Sequence, residues 1–301
     1  MKNDIFSFDF PQDLVDRLKN EFPQFDIEPI GSDEEFAERI NEPRIVITWF
    51  FREELYKRAN NLEAVLTPSA GKGWINQDKT GRVKHYFGSY HGHLLGESLL
   101  LMMLYLNRKF PAIIENQRNR IYDRYLQEHT PRLAGQHVLI AGYGHIGRHL
   151  AKFLGPFNCS IKGLQRKHTE GCDSEYGVEY ITKKDLPGAL AWADHVVDIL
   201  PADAETEDFF GQAEFAQMKR SAYFYNVGRG NTCNEDDLIA ALEGEMIAGA
   251  ALDVFKEEPL PEDSKLWNTK NLLITPHSSC IFHDYMYLYY EELKEILINY
   301  K

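Results

Sequence analysis

Hydrophobic and polar positions follow two different spacings along the chain. Short β-branched or aromatic runs stand at residues 44–50 (RIVITWF), bounded by Pro43, and at 62–67 (LEAVLT), closed by Pro68 and Gly71. Runs this short and this apolar read as buried strands. The charged stretch 51–61 between them favours helix. Residues 96–109 (GESLLLMMLYLNRK) are so apolar that a helix buried almost all round is predicted. Pro111 interrupts it, and 112–127 continues with an amphipathic, Arg-rich pattern. After the turn-forming stretch 130–136 (TPRLAGQ), a second series of strand runs begins at 137–141, 160–164, 195–200, 222–227, 248–252 and 272–275. The closing stretch 285–300 is helical, and its apolar positions need a cover, which the first lobe is expected to supply.

Strands alternating with helices predict parallel βαβ units. The expected architecture is α/β, with two doubly wound parallel-sheet lobes and a helical bridge near 96–127. A chain of 301 residues suits two domains. Charge narrows the partners. The formal net charge is −13, spread along the chain rather than blocked, and such a surface repels phosphate backbones. Nucleic acid and anionic membranes are therefore excluded as main partners. The first ten residues lack the apolar stretch of a signal peptide, and the longest apolar run, 99–106, is far short of the roughly 20 residues of a membrane span. Cys159, Cys172, Cys233 and Cys280 are too scattered for a disulfide framework or a CxxC knuckle. A cytoplasmic protein with packed thiols is the expectation.

The strand run HVLIA leads directly into Gly142-Tyr143-Gly144-His145-Ile146-Gly147 and then the helical RHLAKFLG. This is GxGxxG with a strand before and a helix after. The first glycine permits the tight turn, the second lets backbone approach a pyrophosphate, and the third brings helix and strand together. The helix start adds unpaired N–H donors. A dinucleotide is the predicted ligand, with Gly142, Gly144, His145, Ile146 and Gly147 as its cradle. In an NAD site an acid ends the second strand, about 20 residues on, and binds the ribose 2′-hydroxyl. Here the strand ends in Gln165, Arg166 and Lys167. With two cations and no carboxylate at that position, NADP(H) is favoured over NAD(H).

Three more strand ends carry chemistry. The run 222–227 ends at Val227 and leads into Gly228-Arg229-Gly230, an arginine suited to gripping a carboxylate bidentately. The run 248–252 leads into Asp253 and then Glu257-Glu258, and 272–275 into Pro276-His277. Together, the glycine turn, LPADAET (200–206), MKRSAYFYNVGRG (218–230), GAALDVFKEEPLP (249–261) and NLLITPHSS (271–279) resemble the D-isomer-specific 2-hydroxyacid dehydrogenases. The order and spacing match over roughly residues 60–280, including HGHLLGESLLLMML (91–104). The strand end and LPADAET look closest to the glyoxylate/hydroxypyruvate reductase branch.

The resemblance implies an oxidoreductase moving a hydride between a nicotinamide cofactor and a small 2-oxoacid or (R)-2-hydroxyacid. His277 would be the general acid/base, Glu258 would hydrogen-bond its imidazole, and Arg229 would bind and polarise the substrate. Ala70 and Gly71 would offer backbone N–H groups to the substrate carboxylate. Asp253 would orient the nicotinamide, with Leu200, Pro201, Thr206 and Val227 flanking the cofactor. The implied Rossmann lobe, 104–279, is inserted into a flavodoxin-like substrate lobe, 1–103 plus 280–301. A homodimer is implied too, and the apolar 96–106 helix and aromatic-rich terminus supply surfaces for one. The chain departs from the pattern at Lys72-Gly73, where many members carry an acid at the second position, and at Ser278-Ser279-Cys280. His91 and His93 are expected to line a cleft or cap a helix rather than hold a metal. Two other readings remain open on the same fold: a dinucleotide-sensing corepressor and a formate- or phosphite-type dehydrogenase.

Overall fold

The computed structural model describes residues 4–71, 73, 75–128, 130–166 and 171–300. The chain divides into two compact units, Met1–His91 with Phe282–Lys301, and Gly92–Ile281. The second is inserted in the chain of the first. These cuts fall at 91/92 and 281/282, whereas the resemblance implied 103/104 and 279/280. The shift of the first cut comes from one helix, His91–Asn107, whose Leu95, Leu99, Met102, Met103 and Leu106 all pack in the second unit's core.

In the first unit, β1 (Ile5–Phe8), β2 (Ile27–Ile30), β3 (Ile45–Ile47), β4 (Ala64–Thr67) and β5 (Lys84–Phe87) form a parallel sheet in the order β2-β1-β3-β4-β5. This is the flavodoxin-like order. Side chains alternate between its faces. Ile5, Ile45, Ile47, Ala64 and Leu66 pack on one side, and Phe6, Phe8, Val46 and Val65 on the other. The last helix, Tyr285–Asn299, covers the first of these faces with Tyr289, Tyr290, Leu293 and Leu297, as its pattern required.

In the second unit the strands are β6 (His137–Ala141), β7 (Ser160–Leu164), β8 (Cys172–Asp173), β9 (Val178–Ile181), β10 (His195–Asp198), β11 (Tyr223–Asn226), β12 (Gly249–Leu252) and β13 (Leu272–Ile274). Their order is β13-β12-β11-β10-β6-β7-β9-β8, parallel except for β8. Chain order therefore reverses at β6, with β7 on one side and β10 on the other. That reversal is the switch point at which open α/β sheets bind ligands. Val138 and Ile140 face one core, and Leu139 and Ala141 the other.

Two expected helices are shorter than their patterns. The 51–61 stretch is helical only over Glu53–Tyr56, and the Asn60-Asn61 turn follows. The 112–127 stretch is helical only to Arg118, because Arg120 adopts a left-handed φ of 59°. Leu101, predicted buried, is 67% exposed. Among the described residues, no helix is long and apolar enough to cross a membrane.

Candidate active site

Because β6, β7, β10, β11, β12 and β13 run parallel, the segments after them share one sheet edge. At its centre lies the glycine turn. Gly142 has a φ of +88°, and a Cβ there would sit 2.6 Å from Ile199 O. A Cβ on Gly147 would lie 3.0 Å from the Tyr143 ring and 3.2 Å from Ile140. Only glycine lets the helix His145–Leu154 close on the sheet here. A Cβ on Gly144, the residue before that helix, would meet Gly142 O at 3.9 Å without a clash, and among the described residues no side chain caps the helix. Its first-turn N–H groups and helix dipole thus face a cradle that suits an anion. These features fit a dinucleotide pyrophosphate. His145 and Ile146 form the first helical residues, and the exposed His145 ring lies 4.8 Å from that of His149.

The chemistry-bearing side chains lie at the β11, β12 and β13 end of this edge. His277 Nδ1 is 2.7 Å from Glu258 Oε2, and Glu258 Oε1 accepts the Phe255 N–H at 2.9 Å. An ionised carboxylate can only accept, so Nδ1 carries the hydrogen. His277 has a left-handed φ of 49°, uncommon for a residue with a Cβ. Its N–H donates to Asp253 O at 2.8 Å. The Asp253 carboxylate accepts from Thr275 Oγ1 (2.6 Å) and from the N–H groups of Ser278 and Ser279. Asp253 is buried, and its carboxylate ties down the loop that carries His277. Arg229 is half-buried, with Nη1 donating to Gly228 O. Burial pulls its pKa down, and the nearby Glu258 carboxylate draws it back up. A Cβ on Gly230 would fall 1.9 Å from the Phe255 carbonyl carbon. The Arg229 turn is therefore pressed against the segment leading to Glu258.

Beneath Arg229 lies a polar network of buried side chains. Asn226 Nδ2 donates to Arg229 O (3.0 Å), and Asn226 Oδ1 accepts the Gly228 N–H (2.9 Å). Thr232 Oγ1 lies 2.6 Å from Arg229 O and 2.6 Å from Asp198 Oδ2. Asp198 is fully buried, and its Oδ1 accepts the Leu200 N–H. Burial pushes its pKa up to about 7, against the hydrogen bonds from Thr232 and Leu200. One hydroxyl hydrogen facing two acceptors suits a protonated Asp198 that donates to Thr232. Asn226 carried a signal, as the strand's last residue before Val227 and the glycines. Thr232 carried none.

The end of β7 corrects the expectation of a carboxylate-free site. Arg166 Nη2 is hydrogen-bonded to Asp203 Oδ2, and its Nε lies 3.5 Å from Glu205 Oε2. The acids come from the loop after β10, 37 residues away in sequence. Gln165 Nε2 donates to Tyr143 O in the glycine turn (3.1 Å). Thr206 is buried, with its hydroxyl 2.6 Å from Pro201 O, so it shapes the 200–206 turn. Lys167 lies outside the described residues, as does Lys72.

Ala70 and Gly71 follow β4 in the first unit, and Ser69 Oγ already engages the Gly71 N–H at 3.0 Å. His91 Nε2 is 2.9 Å from Tyr285 OH, while His93 packs near His149 and Phe153. The two do not converge, and among the described residues no cluster of His, Cys, Asp and Glu could hold a metal. His195 is buried between Tyr225 OH and Gln136 Oε1, and burial lowers its pKa to about 4. It serves the core.

The sequence model for the NAD-binding domain of the D-isomer specific 2-hydroxyacid dehydrogenases matches residues 100–279. The chain belongs to that family. It is 33% identical over 280 residues to a probable 2-ketogluconate reductase of Dictyostelium discoideum, covering 88% of this chain and 82% of that one. It is 42% identical over 150 residues to glyoxylate/hydroxypyruvate reductase B of Citrobacter koseri, covering 49% of this chain and 45% of that relative. Among solved structures, a D-isomer specific 2-hydroxyacid dehydrogenase from Xanthobacter autotrophicus Py2, in complex with NADPH and MES, superposes with a TM-score of 0.83. It is 27% identical, and the match covers 99% of this chain and 96% of that one. The protein is thus an oxidoreductase of this family with an NAD(P)-binding Rossmann unit.

Proposed function

We propose that this dehydrogenase reduces a short 2-oxoacid to the (R)-2-hydroxyacid, with His277 as general acid, Glu258 as its partner and Arg229 as the substrate anchor. The observation that carries this reading is the 2.7 Å His277–Glu258 pair on the sheet edge that also holds Arg229 and the glycine turn. Gly142, Gly144, His145, Ile146 and Gly147 would hold the cofactor's pyrophosphate, with Leu200, Pro201 and Val227 beside it. The nicotinamide cofactor, when bound, supplies the hydride.

Arg229 keeps its charge while half-buried, so it grips a carboxylate and polarises the adjacent carbonyl more strongly than a solvated arginine does. With Nδ1 bound to Glu258, Nε2 is the nitrogen left to protonate the carbonyl oxygen. The negative Glu258 stabilises the imidazolium before that transfer, and Asp253 fixes the ring's position through the loop. In the reverse direction the neutral ring takes the proton back.

Arg166 is the side chain proposed to meet a 2′-phosphate, and NADP(H) is the favoured cofactor. The names of the two reductase relatives support glyoxylate, hydroxypyruvate and sugar-derived 2-oxoacids as candidates. Initial rates with glyoxylate, hydroxypyruvate, pyruvate, 2-ketogluconate and formate, each with both cofactors, test the reading. Reduction of at least one 2-oxoacid, lost in His277→Ala, is expected. Near-wild-type turnover of His277→Ala on every active 2-oxoacid would refute the mechanism. Self-association as a homodimer is part of the proposal. The exposed Leu101, Phe110, Ile121, Tyr122 and Tyr125 of the second unit support it, and a sedimentation mass of 34.8 kDa would count against it.

A further inference from the structure

The acid that the end of β7 lacks in sequence is supplied in space by the loop after β10. We propose that Asp203 is a cofactor-discriminating residue: its carboxylate occupies the Arg166 guanidinium, competes there with a ribose 2′-phosphate, and accepts a 2′-hydroxyl instead. The inference rests on the reading of Gln165-Arg166 as the end of the cofactor-binding strand.

Three observations carry it. Arg166 Nη2 is bonded to Asp203, and its Nε also faces Glu205 at 3.5 Å, so two carboxylates already neutralise this one guanidinium. Asp203 is fixed where it stands. Its Oδ1 accepts the Glu205 N–H (3.0 Å), and its own N–H donates to Thr206 Oγ1 (3.0 Å). Arg166 is the exposed, adaptable partner, at 56% exposure. Asp203 also holds its negative charge firmly, because the hydrogen bond to Arg166 lowers its pKa. An incoming 2′-phosphate must therefore draw the guanidinium away from a fixed anion and then sit beside that anion. A 2′-hydroxyl meets no such cost and gains an acceptor.

The position of the pair follows from topology. The β7 end and the β10 loop flank β6 on opposite sides, so the two meet over the glycine turn. Discrimination between the two dinucleotides is thus divided between segments that lie far apart in the chain. Asp203 thus narrows, without reversing, the preference for NADP(H) that Arg166 gives.

Asp203→Asn isolates the charge, because the amide oxygen still accepts the Glu205 N–H and the turn is kept. Isothermal titration of the full chain gives dissociation constants for NADP+ and NAD+, for the wild type, Asp203→Asn, Arg166→Gln and the double variant. Asp203→Asn is expected to shift the affinity ratio toward NADP+ by about five- to tenfold, the worth of one nearby charge at a solvated site. That shift should shrink in the Arg166→Gln background, since the carboxylate acts through the guanidinium. A ratio that stays within twofold, or moves toward NAD+, would overturn the proposal. If Arg166→Gln weakens NADP+ while Asp203→Asn leaves the ratio alone, only the competition fails. If Arg166→Gln changes neither constant, the reading of this strand end fails with it.

Discussion

Replacing Asp198 by asparagine should stabilise the folded protein at alkaline pH and leave it nearly unchanged at acid pH. The carboxylate is fully buried with two neutral donors near it, Leu200 N–H and Thr232 Oγ1, and no cation among the described residues. Burial raises its pKa from an ordinary 3.8 to about 7, and those two hydrogen bonds only partly oppose the shift. The folded state therefore holds a proton, between about pH 4 and pH 7, that the unfolded chain has released. Stability of the wild type falls as pH rises through that window and is level above it. At about 1.4 kcal/mol per pH unit, the full cost is on the order of 4 kcal/mol above pH 7 and vanishes below about pH 4. Asparagine removes this dependence while keeping the geometry. Its Oδ1 accepts the Leu200 N–H, its Nδ2 donates to Thr232 Oγ1, and the hydroxyl hydrogen then serves Arg229 O. Urea unfolding followed by tryptophan fluorescence, at pH values below, within and above the window, gives the difference between the two proteins. That difference should grow across the window and then stay constant. An Asp198→Asn variant less stable than the wild type above pH 7, or a difference that ignores pH, would refute the assignment of a buried, proton-holding Asp198.

Two further outcomes follow from the site's geometry. Gly230→Ala places a methyl group on the Phe255 carbonyl, so the Arg229 turn must move. Stability should drop by about 1–3 kcal/mol, and KM for the 2-oxoacid should rise more than the cofactor's dissociation constant. An alanine variant with unchanged KM would show that the turn does not position Arg229. Glu258→Gln keeps the acceptor for Phe255 N–H but turns an amide toward His277 Nδ1, which removes the charge that supports the imidazolium. A fall in kcat of about 10²–10⁴ with little change in KM is expected from stopped-flow and steady-state rates. A kcat within threefold of wild type would remove Glu258 from the mechanism.

Much of the second unit was legible because its signals are local. The strand runs at 137–141 and 160–164 coincide with β6 and β7, and those at 195–200, 222–227, 248–252 and 272–275 each overrun their strand by a residue or two. The first unit was less legible. β1, β2 and β5 are four residues each, and Lys84–Phe87 carries polar side chains at a sheet edge, so no periodicity stands out there. The 51–61 and 112–127 helices failed at their C-terminal halves. Helix-favouring composition there lost to turns at Asn60-Asn61 and to a left-handed Arg120.

The sequence by itself determined the glycine cradle, the arginine between glycines, and the histidine after Thr-Pro, because each is a short motif whose chemistry is contained in its own segment. It also determined that these motifs end strands, since apolar runs of that length bury in parallel sheets. Only the tertiary structure decided which side chains meet. The order in which β7, β6 and β10 lie side by side brings Asp203 to Arg166, and the packing of the Arg229 turn on Phe255 brings Arg229 near Glu258, the partner of His277. Burial beneath that turn raises the pKa of Asp198. Hydrogen bonds and charges act over a few ångströms, and closeness in space across a sheet edge is set by strand order, which no single segment encodes.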